Sequence, residues 1–376
     1  MISKHKVLIV ATSPKTKGGI TSVISSHIKG EQWRQYNCKW IVSHRDVYHL
    51  RKLSILLVGL MKFVFYLPGA KIVHLHLSES TSAKRKKLFF SLSKKAHKKI
   101  IIHFHAFSPE TTINGTCANL YKELFSGADA VIVLSNYWKE QVNSKFNLGD
   151  KVRVIYNPCG SIEYFEQYNK TNSILYAGTL NQRKGYADLI KAFALIGKQH
   201  SDWELRLAGN GELEQARELA RSLNMENQVE ILGWVNGVQK DKVYKEAAIF
   251  CLPSYAEGFP MAVLDAWTYG LPVITTPVGG IPDIAQNGTN MLVFNPGDIN
   301  GLAHCLDIMI SNERLRSSIA EESNRLASNV FNIDTINKQI GDLYEELLKT
   351  ETGGGYKCLI LSKLNCEGGN VLLKAA

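Results

Sequence analysis

The chain has 376 residues, 45% hydrophobic and 21% charged, which is too long for one ordinary core and comfortable for two soluble domains. Its net charge of +10 is uneven, much of the excess lying before residue 110 in Lys84-Arg85-Lys86-Lys87, Lys94-Lys95 and Lys98-Lys99. Such runs suit an anionic partner (a membrane surface, a phosphate-bearing substrate or a nucleic acid) or else form a solvated helix face.

From the amino terminus, Lys4 and Lys6 precede the apolar run 7–11, which is too short for the core of a signal peptide and reads as a buried strand. The segment 53–67 is interrupted by Gly59 and Lys62 and falls short of the ~20 apolar residues of a membrane span. It predicts a core helix, with a membrane-surface helix as the alternative. Strands are predicted over 71–77, 100–105, 130–134 and 152–156, then over 173–177, 204–208, 229–232, 248–252, 273–275 and 291–294. Helical spacing fills the gaps, as at 186–197 and 212–223, and alternation of this kind means parallel sheets covered on both faces. The turn cluster Asn157-Pro158-Cys159-Gly160 and the polar stretch 163–172 mark a break. The expected organisation is one domain over 1–165, a second over 170–332, a closing helix over 333–350 and a Gly-rich tail over 351–376. Seven scattered cysteines with no Cys-x-x-Cys pair argue against a disulfide framework or a zinc site and fit a reducing cytoplasm.

The most informative stretch is Pro253-Ser254-Tyr255-Ala256-Glu257-Gly258-Phe259-Pro260-Met261. A strand ends in a loop carrying Glu257, and Pro260 then opens a helix. Free amides near Gly258, Met261 and Ala262 make that helix start attractive to anions. Asp265 follows Glu257 by eight positions. A carboxylate, exposed amides and a second carboxylate at one strand end suit a sugar hydroxyl, a diphosphate and a ribose; the bland reading is a capping loop with a solvated Glu257. Upstream, Ala177-Gly178-Thr179-Leu180-Asn181-Gln182-Arg183-Lys184-Gly185 turns at another strand end, where adjacent cations can stabilise a departing diphosphate.

These motifs resemble the family-4 retaining glycosyltransferases, in the order Gly-Gly, His, Arg-Lys-Gly, Glu-Gly-Phe-Pro over roughly residues 5–348, most strongly over 173–297. The resemblance implies an α/β chain of the GT-B fold, two facing Rossmann-like doubly wound domains with a cleft between them. It places the transferred sugar on Glu257, sugar or phosphate oxygens on the amides of Gly258, Phe259, Pro260 and Met261, and the ribose diol on Asp265. Pro260 lacks an amide proton and belongs to this set by position. Lys184 matches the family's lysine. Thr179, after Gly178, stands where an arginine is usual, so Arg183 is the candidate to supply the guanidinium. Asp265 stands where glutamate is usual.

In the first half, Lys17-Gly18-Gly19-Ile20-Thr21 lies between a strand and a helix, and Gly19 lets the backbone approach a phosphate or acceptor. His103 and His105 end one strand on the same face, after His74 and His76 on the preceding strand. The resemblance sends His105 toward the transferred sugar. Loops at Gly279-Gly280 and Leu232-Gly233-Trp234 correspond to the donor-pocket border and the nucleobase shelf. It further implies no metal and no cofactor beyond the nucleotide-sugar substrate, a UDP-sugar favoured. The expected acceptor is a saccharide or lipid-linked saccharide in capsule, O-antigen or exopolysaccharide assembly, at the inner face of the cell membrane. The basic runs are not interleaved with stacking aromatics, so nucleic acid is not expected. A nucleotide-sugar epimerase of the same fold, or a basic membrane-docking module with a decayed site, are the alternatives.

Overall fold

The computed structural model describes residues 5–16, 18–46, 48–160 and 170–349. The first sheet holds β1 (Val7–Thr12), β2 (Lys39–His44), β3 (Ile72–Leu77), β4 (Lys99–Phe104), β5 (Ala130–Val133) and β6 (Val152–Val154). It is wholly parallel, in the order β2-β1-β3-β4-β5-β6. The second holds β7 (Ser173–Ala177), β8 (Glu204–Ala208), β9 (Val229–Gly233), β10 (Ile249–Leu252), β11 (Val273–Thr275) and β12 (Leu292–Val293), also parallel, in the order β12-β11-β10-β7-β8-β9. Runs such as Ile-Val-His-Leu-His-Leu in β3 are buried at every position, as expected of strands covered on both faces.

Around the first sheet lie α1 (Gly19–His27), α2 (Glu31–Gln35), α3 (His49–Tyr66), α4 (Ser80–Lys95), α5 (Ala118–Gly127) and α6 (Asn136–Phe146). Around the second lie α7 (Tyr186–Ile196), α8 (Leu213–Ser222), α9 (Gly237–Glu246), α10 (Met261–Thr268), α11 (Ile299–Ser311) and α12 (Glu313–Asn329). The last helix, α13 (Ile333–Lys349), buries Ile336, Ile340 and Tyr344 against the first domain's Val7, Ile9 and Ile72. Its Tyr344 hydroxyl is 2.7 Å from His74 Nδ1, and Asn337 Oδ1 is 2.7 Å from His27 Nδ1.

Strand order reverses between β1 and β3 in one sheet and between β7 and β10 in the other. In open α/β sheets the ligand crevice opens at the carboxyl ends flanking such a reversal. The loops that follow β7 and β10 are the Gly178–Lys184 and Ser254–Pro260 motifs.

Three expectations need correction. β2 was not predicted; its alternation of half-buried Lys39 and Trp40 with buried Ile41 and Ser43 is short and mixed, and neighbouring strands rather than propensity fix it. Helix α3 is not a core helix. Phe63 is buried and Gly59 sits so close to β2 that a Cβ would lie 2.0 Å from the Val42 carbonyl, but the opposite face is open: Leu53, Met61 and Phe65 are 58%, 64% and 62% exposed. Finally, Lys86 is no surface charge. It is fully buried within α4, with no hydrogen-bond partner for Nζ among the described residues.

The tail 351–376, the first part of the 163–172 stretch and Lys17 lie outside the described residues.

Candidate functional site

Glu257 is the centre of the arrangement. The loop after β10 carries it into the cleft with only 7% of its surface exposed. Lys184 Nζ lies 2.5 Å from Oε1, Ser254 Oγ donates to the same oxygen at 2.6 Å, and Arg183 NH1 stands 3.6 Å from Oε2. Arg183 NH1 also donates to the Ala256 carbonyl at 2.6 Å. Burial alone would raise this carboxyl's pKa; the ammonium of Lys184, then Arg183 and the hydrogen bonds, outweigh it and hold the pKa below the ordinary value. Glu257 is therefore an ionised acceptor, and its two cations leave one net positive charge for an anionic ligand.

The backbone makes that pairing possible. Asn181 caps the turn Gln182–Lys184, its side chain accepting from the Lys184 amide at 3.0 Å, so that Arg183 and Lys184 project together from one turn. At Gly279 (φ +60°) a Cβ would sit 2.1 Å from the Glu257 carbonyl, so the neighbouring loop closes on Glu257 only because no side chain is there.

The first domain meets this loop directly. A Cβ on Gly258 would lie 2.5 Å from the Ala106 carbonyl, beside the end of β4, and one on Gly19 would lie 3.7 Å from Met261 Cγ. Arg183 stacks over the Phe107 ring at 4.5 Å. Asp283 accepts from the Asn136 amide at 2.5 Å and the Tyr156 hydroxyl at 3.1 Å. Residues proposed from both halves, Gly19, His105, Arg183, Lys184, Glu257, Gly258 and Met261, thus border one cleft.

Other proposed residues stand differently. Phe259 is buried, with its ring 5.3 Å from Tyr156 and 5.6 Å from Phe331, so its side chain anchors the loop and only its backbone can face a ligand. Pro260 is the cap preceding α10, whose first residue is Met261 rather than Pro260. The first amides of that helix lack intrahelical partners and can receive anion oxygens. Asp265 lies one turn further in, with Oδ2 2.7 Å from Lys240 Nζ of α9. Thr179 is exposed on its turn, its carbonyl accepting from the Tyr176 hydroxyl at 2.9 Å, while Gly178 packs against Gly209. Sequence reasoning gave no role to Ser254, Phe107, Lys240 or Asp283. Ser254 and Asp283 lie within loops singled out from the sequence and Phe107 just beyond one, whereas Lys240 carries no local signal.

His105 Nε2 lies 3.0 Å from His76 Nδ1 and its ring stacks 4.2 Å from that of His103. Desolvation, with the neighbouring His27 and Lys86, pushes its pKa down to about 3. A neutral ring can bind sugar hydroxyls but adds no positive charge against an oxocarbenium-like centre. Behind it, His74, His76 and His103 bring their ring nitrogens within 4.8 Å of one another. Their rings lie 11° to 33° from parallel, so the in-plane lone pairs pass one another instead of converging on one point. Stacked in this way, the three rings do not fit a single divalent cation held by all of them. A surface hollow of about 480 Å³ beside Arg217 and Glu230 opens at the amino-terminal ends of β8 and β9, away from Glu257.

Comparison with known proteins matches one family model to each half of the chain. The model described as Glycosyltransferase Family 4 matches residues 4–159, and that described as Glycosyl transferases group 1 matches residues 162–326. A lipopolysaccharide 1,6-galactosyltransferase of Salmonella typhimurium is 28% identical over 58% of this chain and 62% of its own length. The capsular polysaccharide biosynthesis glycosyltransferase CapM of Staphylococcus aureus is 25% identical over 51% of this chain and 50% of its own. The chain thus spans less than two thirds of either relative. An uncharacterized glycosyltransferase of Methanocaldococcus jannaschii is 29% identical over 63% of this chain and 68% of its own. Among solved structures, Anabaena HepE in complex with UDP superposes with a TM-score of 0.73 at 19% identity, covering 91% of this chain and all of that one. Sucrose-phosphate synthase of Thermosynechococcus elongatus gives 0.73 at 19% identity over 92% and 100%.

Proposed function

The chain belongs to the glycosyltransferases that these two models describe, with the GT-B fold, and on that premise we propose that it moves a hexose, with retention at the anomeric carbon, from a UDP-sugar to a lipid-linked saccharide in bacterial surface-polysaccharide assembly. The observation that carries the reading is the buried, ionised Glu257 with Lys184 and Arg183 at the strand-order reversal, its neighbour Gly258 meeting the Ala106 and His105 carbonyls across the cleft.

In this reading the donor's diphosphate takes the position beside Lys184, Arg183 and the first amides of α10. As the sugar–phosphate bond breaks, negative charge grows on the diphosphate, and the two cations stabilise it there more than in the ground state. Glu257 accepts hydrogen bonds from the sugar's hydroxyls, neutral His105 binds another, and Asp265 holds the ribose diol while Lys240 balances its charge. No step is assigned to a metal or a further cofactor. The base preference is supported by the UDP and UDP-glucose complexes of HepE, and the acceptor class by the lipopolysaccharide and capsule relatives.

The test is transfer from radiolabelled UDP-glucose and UDP-galactose to a membrane lipid extract, with the anomeric configuration of the product read by NMR. Labelled lipid with retained configuration supports the proposal. Isomerised nucleotide-sugar without transfer would favour an epimerase, and inversion would remove the retaining assignment.

A further inference from the structure

Helix α3 has two apolar faces, and only one of them is used. Gly59 and Phe63 pack on β2 and the core, with the Phe63 ring 5.1 Å from Phe89. The other face presents Leu53, Leu57, Val58, Met61, Val64 and Phe65, each between 44% and 64% exposed. At helical periodicity positions 53, 57, 58, 61, 64 and 65 fall on one side of the helix and form a continuous stripe. Counted over 51–69 rather than the 53–67 read from sequence, the helix reaches the length and apolar composition of a bilayer span, yet only 17% of that stretch is buried in the protein.

Charge argues for what covers the stripe. Helix α3 contains Arg51, Lys52 and Lys62 and no acidic residue, and residues 1–110 hold 20 Lys and Arg against 4 Asp and Glu. The Lys39 ammonium lies 5.2 Å over the Tyr66 ring, and Lys98 donates to the Pro68 carbonyl just past the helix end. A second copy docked face to face would oppose like charges across the contact. An anionic bilayer accepts both features, apolar side chains below the headgroups and cations among them. Because Gly59 and Phe63 fix one face on the sheet, the helix lies along such a surface instead of crossing it. Its first turn follows the carboxyl end of β2, on the cleft edge of the sheet, where Arg85 and Lys52 act electrostatically on His44.

We propose that α3 is a membrane-docking element, inserting its 53–65 stripe into an anionic lipid surface and presenting the first domain's side of the cleft to a lipid-borne acceptor. The docking rests on this surface alone; only the acceptor's delivery rests on the function proposed above.

The experiment is flotation of the whole protein with vesicles of phosphatidylglycerol and phosphatidylcholine, or phosphatidylcholine alone, at 50 mM and 500 mM salt. We expect binding to the anionic vesicles that weakens at high salt, and a loss of at least about tenfold in Met61→Glu/Phe65→Glu. A Met61→Trp protein should show blue-shifted emission quenched by brominated lipids. Binding that survives the double substitution, absence of binding to any vesicle, or a concentration-dependent dimer dissolved by the same substitutions would overturn the proposal. The UDP-induced thermal shift of the double variant is read alongside, so a failed membrane surface is separated from a failed donor site.

Discussion

At the scale of the residue, the structure changes what substitutions at Glu257 and Lys184 should do. Removing one partner of a buried ion pair leaves the other charge uncompensated, at a cost of about 3–5 kcal/mol. Lys184→Ala should therefore lose turnover and stability together, with Arg183 limiting the stability loss to the lower end of that range. Glu257→Gln keeps the shape and should lose at least about 100-fold in turnover with a smaller change in Tm. Turnover near wild type in the purified Glu257→Gln protein would remove Glu257 from the mechanism. The pH dependence is signed: Glu257's carboxyl lies below its ordinary 4.5 in the folded state, so its stabilisation is full above pH 4.5 and disappears as pH falls through the folded value.

Lys86 acts in the opposite sense. Burial pushes its ammonium from 10.5 to about 7, so between those values the unfolded chain binds more protons and stability rises with pH. Lys86→Met should be more stable than wild type at pH 6, with the gap closing toward pH 10.5, as thermal melts across that range would read. An unchanged gap would show that the ammonium is not desolvated. This residue was illegible from sequence, because a lysine within Lys84-Arg85-Lys86-Lys87 looks solvated and only the helix's register in the fold turns it inward. Glu257 was legible, since its loop chemistry is local. Lys240 was not, and for Asp283 only its loop was, since the partners of both are set by the packing of separate elements.

At the scale of the element, the strand ends that carry the motifs were legible because parallel, doubly covered strands are written as short β-branched runs. The mixed edge strand β2 and the exposure of α3 were not, since composition alone does not distinguish a helix buried on both faces from one buried on a single face. The tightest element contact across the cleft makes its own prediction. A Cβ at Gly258 meets the Ala106 carbonyl at 2.5 Å, so Gly258→Ala must push the loop and β4 apart. A displacement near 1 Å is enough to cost about 100-fold in rate. Steady-state kinetics should show that loss with circular dichroism unchanged, and an unaffected kcat would mean that the cleft works in a more open form.

At the scale of the whole molecule, two doubly wound sheets face each other with their strand-order reversals across one cleft, and α13 returns from the second domain to pack on the first. Such an arrangement was legible as two alternating series with a break near 157–172. What sequence could not give was the closeness of the halves, seen in Arg183 over Phe107 and Asp283 against Asn136 and Tyr156. On the function proposed above, this cleft holds a nucleoside diphosphate on Lys184, Arg183 and the start of α10. Thermal melts with UDP, GDP, ADP or CMP in excess test it most directly. At about one hundred times its dissociation constant a ligand adds roughly 2.7 kcal/mol, a shift of several degrees for a domain of this size. Such a shift is expected with UDP, reduced in Lys184→Ala and Asp265→Ala; no shift with any of the four nucleotides would remove the nucleotide site.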